Sequence, residues 1–259
     1  MAHMETHPPG SFCWAELTTT DGEAAKAFYT ELFGWSSHDD PIGEGMVYSM
    51  LQHEGRNAGA LYGMGPEMQK MGIPPHWMLY VTVADLEEAV GKARSLGASV
   101  PREPMDVMGI GRMAVLADPT GAHLALWQPI QSHGFQVADE PGSFCWGELL
   151  TRDPDKAKAF YTGLFGWNAK DSGSVGGNDY IEWENGGKPI GGLFAMGAEM
   201  AGVPASWMGY FMVAECDATA VRAKELGGTW IKAPDEIPDV GRFAVLQDPQ
   251  GAVFSLYER

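Results

Sequence analysis

Residues 9–35 read PGSFCWAELTTTDGEAAKAFYTELFGW, and residues 141–167 read PGSFCWGELLTRDPDKAKAFYTGLFGW, with 20 identities in 27 positions. The offset of 132 then becomes 130. GIPPHWMLYVTVAD (72–85) returns as GVPASWMGYFMVAE (202–215), and GRMAVLADPTGAHLALW (111–127) returns as GRFAVLQDPQGAVFSLY (241–257). A repeat this long is a domain duplication, not a solenoid. The boundaries that follow are a first domain over 8–130, a linker over 131–140 and a second domain over 141–259.

Each copy runs through one element order twice. In FCWAELTTT, Cys13, Ala15 and Leu17 form one apolar face while Trp14, Glu16 and Thr18 form the other, the period-two mark of a strand. Asp21 suits the N-cap of a helix, and Pro154 falls at the first helical position after Asp153 in the second copy. Ala25, Phe28, Tyr29 and Leu32 share one face of that helix, and Gly34 ends it. MVYSML (46–51) and NAGALYGM (57–64) are strand candidates. The preceding segment SSHDDPIGEG (36–45) and its counterpart NAKDSGSVGG read as loops, and the glycines of SVGG (174–177) and NGGKPIGG (185–192) as hairpins. The order then restarts. WMLYVTV (77–83) is a strand with His76 in the loop before it, Asp85 caps a helix through Leu96, and Gly97 stops it. Strands near 99–105, 112–117 and 122–128 close the copy, the last two joined by the turn Asp118-Pro119-Thr120-Gly121. Asp118-Pro119 and Asp248-Pro249 are read as turn chemistry and nothing more. Each copy is therefore two βαβββ units, an α+β arrangement, and the chain holds four.

Composition narrows the partners. Of 259 residues 45% are hydrophobic, and 17 basic residues face 34 acidic ones for a net charge of −17, a field that disfavours nucleic acid and anionic lipid. No apolar run approaches the roughly 18–20 residues that span a bilayer, and MAHMETHPPG (1–10) lacks the apolar centre of a signal peptide. Cys13, Cys145 and Cys216 are too few and too scattered for a disulfide framework or zinc ribbon. The expectation is a cytoplasmic protein, monomer or homodimer, that handles small molecules without nucleic-acid or membrane partners.

The order of elements, with AKAFYTELFGW after the first strand and DPTG before the last, resembles the vicinal oxygen chelate superfamily of glyoxalases, bleomycin-resistance proteins and extradiol dioxygenases. The paired arrangement looks most like two-domain actinobacterial members, among them a mycobacterial culture-filtrate antigen group and accessory proteins of antibiotic pathways. That resemblance implies a tandem glyoxalase-like domain whose units roll into two cup-shaped mixed sheets, each holding a ligand and often a divalent metal. The superfamily's metal ligands, aligned through Asp21, Asp85 and DPTG, fall here on Trp14, Met78 and Ala125, and in the second copy on Trp146, Met208 and Ser255. None supplies an imidazole or carboxylate. No metal ligand and no other cofactor is therefore expected.

Strand alternation predicts the cup faces: Trp14, Glu16, Thr18, Met78, Tyr80, His123 and Trp127 in the first copy, and Trp146, Glu148, Met208, Tyr210, Met212, Ser255 and Tyr257 in the second. Tyr48 and Tyr180 are matched on a middle strand. Aromatic walls, pliable methionines and few polar groups suit a planar, mostly apolar metabolite. Trp14 and Trp146 either bind that ligand or fill cups without a metal. Glu16 and Glu148 are candidate acid/base groups if burial raises their pKa; a salt bridge to Arg112 or Arg242 would instead hold them ionised and structural. His123 faces Val253 in the second copy and is either a one-cup ligand group or a solvated strand end. Cys13 and Cys145, on the apolar strand face, read as buried, inert thiols. Neither a phosphate loop nor a G-x-S-x-G elbow is present. Two functions follow: a metal-independent binder of an aromatic metabolite, serving antibiotic sequestration or natural-product tailoring, or a glyoxalase-like lyase, isomerase or hydroxylase using Glu16 or Glu148. An interaction protein whose cups are filled by their own side chains is a third.

Overall fold

The computed structural model describes residues 6–43 and 45–259; residues 1–5 of the segment read for a leader, and Glu44 of the 36–45 segment, lie outside the described residues. The first copy contains β1 (Phe12–Thr19), α1 (Gly22–Phe33), β2 (Ser36–Gly43), β3 (Met46–His53), β4 (Arg56–Gly63), a short α2 (Pro66–Lys70), β5 (His76–Thr82), α3 (Leu86–Ser95), β6 (Ser99–Val107), β7 (Gly111–Ala117) and β8 (His123–Pro129). The second contains β9 (Ser143–Thr151), α4 (Pro154–Phe165), β10 (Asn168–Val175), β11 (Asn178–Asn185), β12 (Lys188–Ala195), a 3-10 turn (Ala198–Met200), β13 (Ser206–Met212), α5 (Cys216–Glu225), β14 (Thr229–Ile237), β15 (Gly241–Gln247) and β16 (Val253–Glu258).

Each copy makes its own eight-stranded sheet, in the order β2-β3-β4-β1-β5-β8-β7-β6 and its equivalent β10-β11-β12-β9-β13-β16-β15-β14. The two units of a copy meet where β1 runs antiparallel to β5, and each unit closes on itself through a parallel pair, β1 with β4 and β5 with β8. The sheets are thus mixed and curl into half-barrels.

Local chemistry fixes the helices as the sequence predicts. Asp21 accepts from the Ala24 amide at 3.0 Å and Asp153 from the Lys156 amide at 3.0 Å, while Gly34 and Gly166 close their helices in the left-handed conformation. Two expectations are corrected. SSHDDPIG and its counterpart NAKDSGSV are strands, not loops: β2 and β10 pair with β3 and β11 at the sheet edges, and apart from half-buried Ala169 and Val175 they lie exposed, so they carry no hydrophobic alternation to read. His76 is not a loop residue but opens β5, opposite Thr18.

The outer faces of the two sheets share one core. Phe12 of β1 lies among Phe144, Trp167 and Trp207 of the second copy, at 5.3–5.8 Å between ring centroids. Tyr29 of α1 meets Phe254 of β16 at 5.4 Å. Gly209 of β13 approaches Leu79 of β5 so closely that a Cβ there would stand 3.3 Å from its methyl. Asp118 and Asp248 do more than shape turns, which corrects the reading of them as turn chemistry alone. Asp118 Oδ1 holds its own turn amides, while Oδ2 accepts Tyr161 Oη at 2.8 Å from the other copy; Asp248 does the same with Tyr29 Oη at 2.9 Å. Trp77 and Trp207 donate in turn to those tyrosines, at 3.0 and 2.7 Å.

Candidate functional site

Strand parity brings four predicted residues of the first copy together. Glu16 lies in register with Met78 on β5, and Trp14 with Tyr80, so all four side chains leave the sheet on the same face. Tyr48 reaches them from β3. Tyr48 Oη donates to one Glu16 carboxylate oxygen at 2.8 Å, Tyr80 Oη donates to the other at 2.9 Å, and Trp14 Nε1 donates to Tyr48 Oη at 3.1 Å. The second cup repeats the set: Trp146 Nε1 donates to Tyr180 Oη at 3.0 Å and Tyr210 Oη to Glu148 at 2.7 Å. Gly192 makes room for this, since a Cβ there would overlap the Tyr180 hydroxyl.

The electrostatics follow from what surrounds these carboxyls. Burial drives Glu16 and Glu148 above the ordinary carboxylate value, opposed by the tyrosine hydroxyls. The alternative of a holding salt bridge is corrected: Arg112 pairs with Glu87 at 2.5 Å and Arg242 with Asp217 at 2.7 Å, both on the outer surface. Burial also pushes the hydroxyls of Tyr48, Tyr80 and Tyr210 well up, so they stay protonated donors.

Other predicted residues take more local parts. Ser255 Oγ contacts Met208 Sδ at 3.2 Å. Trp127 sits edge-on to Tyr80, but its N–H turns away to the Ser132 carbonyl at 2.9 Å; Tyr257 likewise donates to the Val240 carbonyl at 2.7 Å. His123 is exposed at the start of β8, near enough to His76 for their charges to interact. Cys13 and Cys145 donate to the carbonyls of Tyr80 and Tyr210, at 3.6 and 3.5 Å, and burial raises the Cys13 thiol to about 12. Two residues that sequence reasoning missed belong to the first cup. Tyr62, opposite Tyr48 on β4, stacks with it at 6.3 Å, and the guanidinium of Arg102 on β6 acts electrostatically on both Glu16 and Tyr62. Tyr62 was readable from its spacing in NAGALYGM; Arg102 sits between two register shifts of β6 and had no such signal.

The donor set does not fit the superfamily's metal. The positions that the resemblance assigned to the metal, Trp14, Met78 and Ala125, offer neither imidazole nor carboxylate, and the neighbouring Glu16, in register with Met78, has both carboxylate oxygens engaged by tyrosine hydroxyls. Among the described residues no three His, Cys, Asp or Glu side chains converge. Nor is any helix among them long and apolar enough to cross a membrane.

Comparison with known proteins places the chain. The glyoxalase-like domain family matches residues 14–127 and again 147–257. CFP32 of Mycobacterium tuberculosis is 43% identical over 257 residues, covering 99% of this chain and 97% of that protein. The anthracycline biosynthesis protein DnrV of Streptomyces peucetius is 36% identical over 267 residues, covering 98% and 95%. Among solved structures, the Mn(II)-bound glyoxalase from Novosphingobium aromaticivorans superposes with a TM-score of 0.67 at 14% identity, covering 96% of this chain and 82% of that one, a likeness of fold. With the family matched in both copies and the sheets curled as its fold requires, the chain belongs to the glyoxalase-like family of the vicinal oxygen chelate superfamily, as a tandem two-domain member.

Proposed function

We propose that the protein is a metal-independent member that binds a hydrophobic, aromatic small molecule in its cups, in the sequestration or tailoring of an antibiotic-like metabolite. The observation that carries this is the Trp–Tyr–Glu–Tyr set where the superfamily gathers metal ligands: an indole, phenol rings and a methionine with one satisfied carboxyl between them. Such a floor offers ring faces for stacking and few unsatisfied polar atoms that a planar ligand would strand. The relationship to a protein named for anthracycline biosynthesis supports the same ligand class, because an anthracycline is a planar polycyclic aromatic.

Metal content and ligand binding are measured on one sample, purified without chelator or affinity metal. The expected result is far less than one transition metal per chain together with saturable tryptophan quenching by an anthracycline. A stoichiometric metal whose removal abolishes quenching overturns the reading. The burial-raised carboxyls favour a second reading, a lyase, isomerase or hydroxylase in which Glu16 or Glu148 moves a proton. Turnover lost in Glu16→Gln or Glu148→Gln with ligand binding retained would select it.

A further inference from the structure

The two cups have the same floor and different rims. Beside Tyr48 the first cup carries Thr18 and Tyr62, paired in adjacent strands; the second carries Leu150 and Phe194 at the equivalent pair. The first therefore presents two hydroxyls where the second presents only hydrocarbon.

The basic residue on the covering strand shows the contrast in charge. Lys232 of β14 is neutralised within its own strand by Asp235 at 2.9 Å, and its ammonium also lies over the Phe243 ring. Arg102 occupies the matched position on β6, opposite Val115 as Lys232 is opposite Val245. Three residues on, however, the first copy has Met105 in place of Asp235, and Arg102 contacts only its sulfur, at 3.5 Å. Among the described residues no carboxylate lies within ion-pair distance of Arg102, although eleven of the other Lys and Arg side chains are so paired. Its charge is near enough to Glu16 and Tyr62 to make a small contribution towards their ionised forms.

Resting on the aromatic-ligand reading above, we infer that the first cup selects a planar aromatic bearing an acidic group, a carboxylate or acidic phenol, which pairs with Arg102 at the rim beside Tyr62, while the second cup has no such preference. Glu16 does not oppose this. It lies at the floor with both oxygens accepting tyrosine hydroxyls and is driven towards its neutral form by burial, whereas Arg102 stands at the exposed edge that an entering ligand meets first.

The test compares anthraquinone-2-carboxylate with anthraquinone-2-carboxamide, the same ring system with and without the charge, by calorimetry on the full chain at pH 7. The carboxylate is expected to bind about tenfold more tightly, the scale of one charge-assisted hydrogen bond, and the preference should shrink as salt is raised. Arg102→Gln should erase the preference and leave carboxamide affinity in place. Met105→Asp, which supplies the intrastrand partner found in the second copy, should erase it as well, and Lys232→Gln should not. Equal affinities in the wild type, or a preference that survives Arg102→Gln, overturn this inference while leaving the aromatic-ligand reading intact. Binding of neither compound overturns that reading, and this inference with it.

Discussion

Glu148 is 8% exposed and sits among aromatic and methionine side chains, and among the described residues no basic side chain pairs with it. A carboxyl in such a place costs the fold stability whenever it carries charge, because burial penalises the anion more than the Tyr210 hydroxyl compensates. The sign of the pH dependence follows. With its folded pKa above the ordinary 4.5, the neutral form is favoured by the fold. Its contribution to stability is whole below that value and is lost as pH rises through the folded pKa. Glutamine has the shape of the protonated carboxyl and cannot ionise. Glu148→Gln is therefore expected to melt higher than wild type at pH 8, with the advantage shrinking towards zero as pH falls to 4. Thermal melts of both proteins across that range decide it. A difference that stays constant with pH would mean that Glu148 is not forced towards neutrality by the cup, and would also weaken its candidacy as a proton-transfer group.

At the scale of elements, what the sequence made legible is what burial wrote into it. α1 was readable because one face lies in the core, which imposes a period of about 3.6, and β1 because its small and aliphatic residues Cys13, Ala15 and Leu17 alternate with the cup-face residues Trp14, Glu16 and Thr18, although both faces are largely buried. The cup floor was readable for the same reason: Trp14, Glu16, Met78 and Tyr80 follow from strand parity alone. β2 and β10 were not readable, since they are exposed edge strands fixed mainly by backbone pairing on one side. Arg102 escaped because β6 slips register twice around it, so parity cannot be carried along the strand. The stretch 131–140 is the third case. It falls between the two repeats and reads as a linker, and the Phe135 amide donates to the Cys13 carbonyl at 2.7 Å, the Gln136 amide to the Asn57 carbonyl at 2.8 Å, and the Phe135 ring stacks on Phe144 and leans on Trp14. Phe135 is 1% exposed and Val137 is buried as well, so the segment anchors two side chains in the core between the copies. Phe135→Ala removes a whole buried ring and is expected to cost about 3–5 kcal/mol, measured by denaturant unfolding. A loss below about 1 kcal/mol, the size usual for a surface position, would return the segment to the status of a tether.

Across the whole molecule, duplication has produced two sheets that cannot bury their outer faces alone. α1 of the first copy lies against the second copy's Phe254 and Phe211 through Tyr29 and Phe33, and Trp35 and Trp167 each donate across the interface, to the carbonyls of Gly142 and Gly10, both at 2.7 Å. Two reciprocal buried chains, Trp77–Tyr29–Asp248 and Trp207–Tyr161–Asp118, cross between the copies at their Tyr–Asp bonds. Tyr29→Phe keeps the ring and removes the hydroxyl, which leaves Trp77 Nε1 and an Asp248 oxygen without that partner. Stranding buried polar groups costs about 1–3 kcal/mol. The consequence distinguishes one folding unit from two. If the copies share a core, unfolding in urea is a single transition, coincident by tryptophan fluorescence and far-ultraviolet circular dichroism. Tyr29→Phe should then move that whole transition to lower urea by the amount above, with its slope unchanged, and Tyr161→Phe should do the same from the other side. Two transitions, only one of which moves in each variant, would mean that each copy folds on its own and that the cross-copy bonds merely dock them. A single transition that shifts as a whole would also explain why the cups can diverge at their rims: neither rim carries the stability of the fold, which resides in the interface that both copies build together.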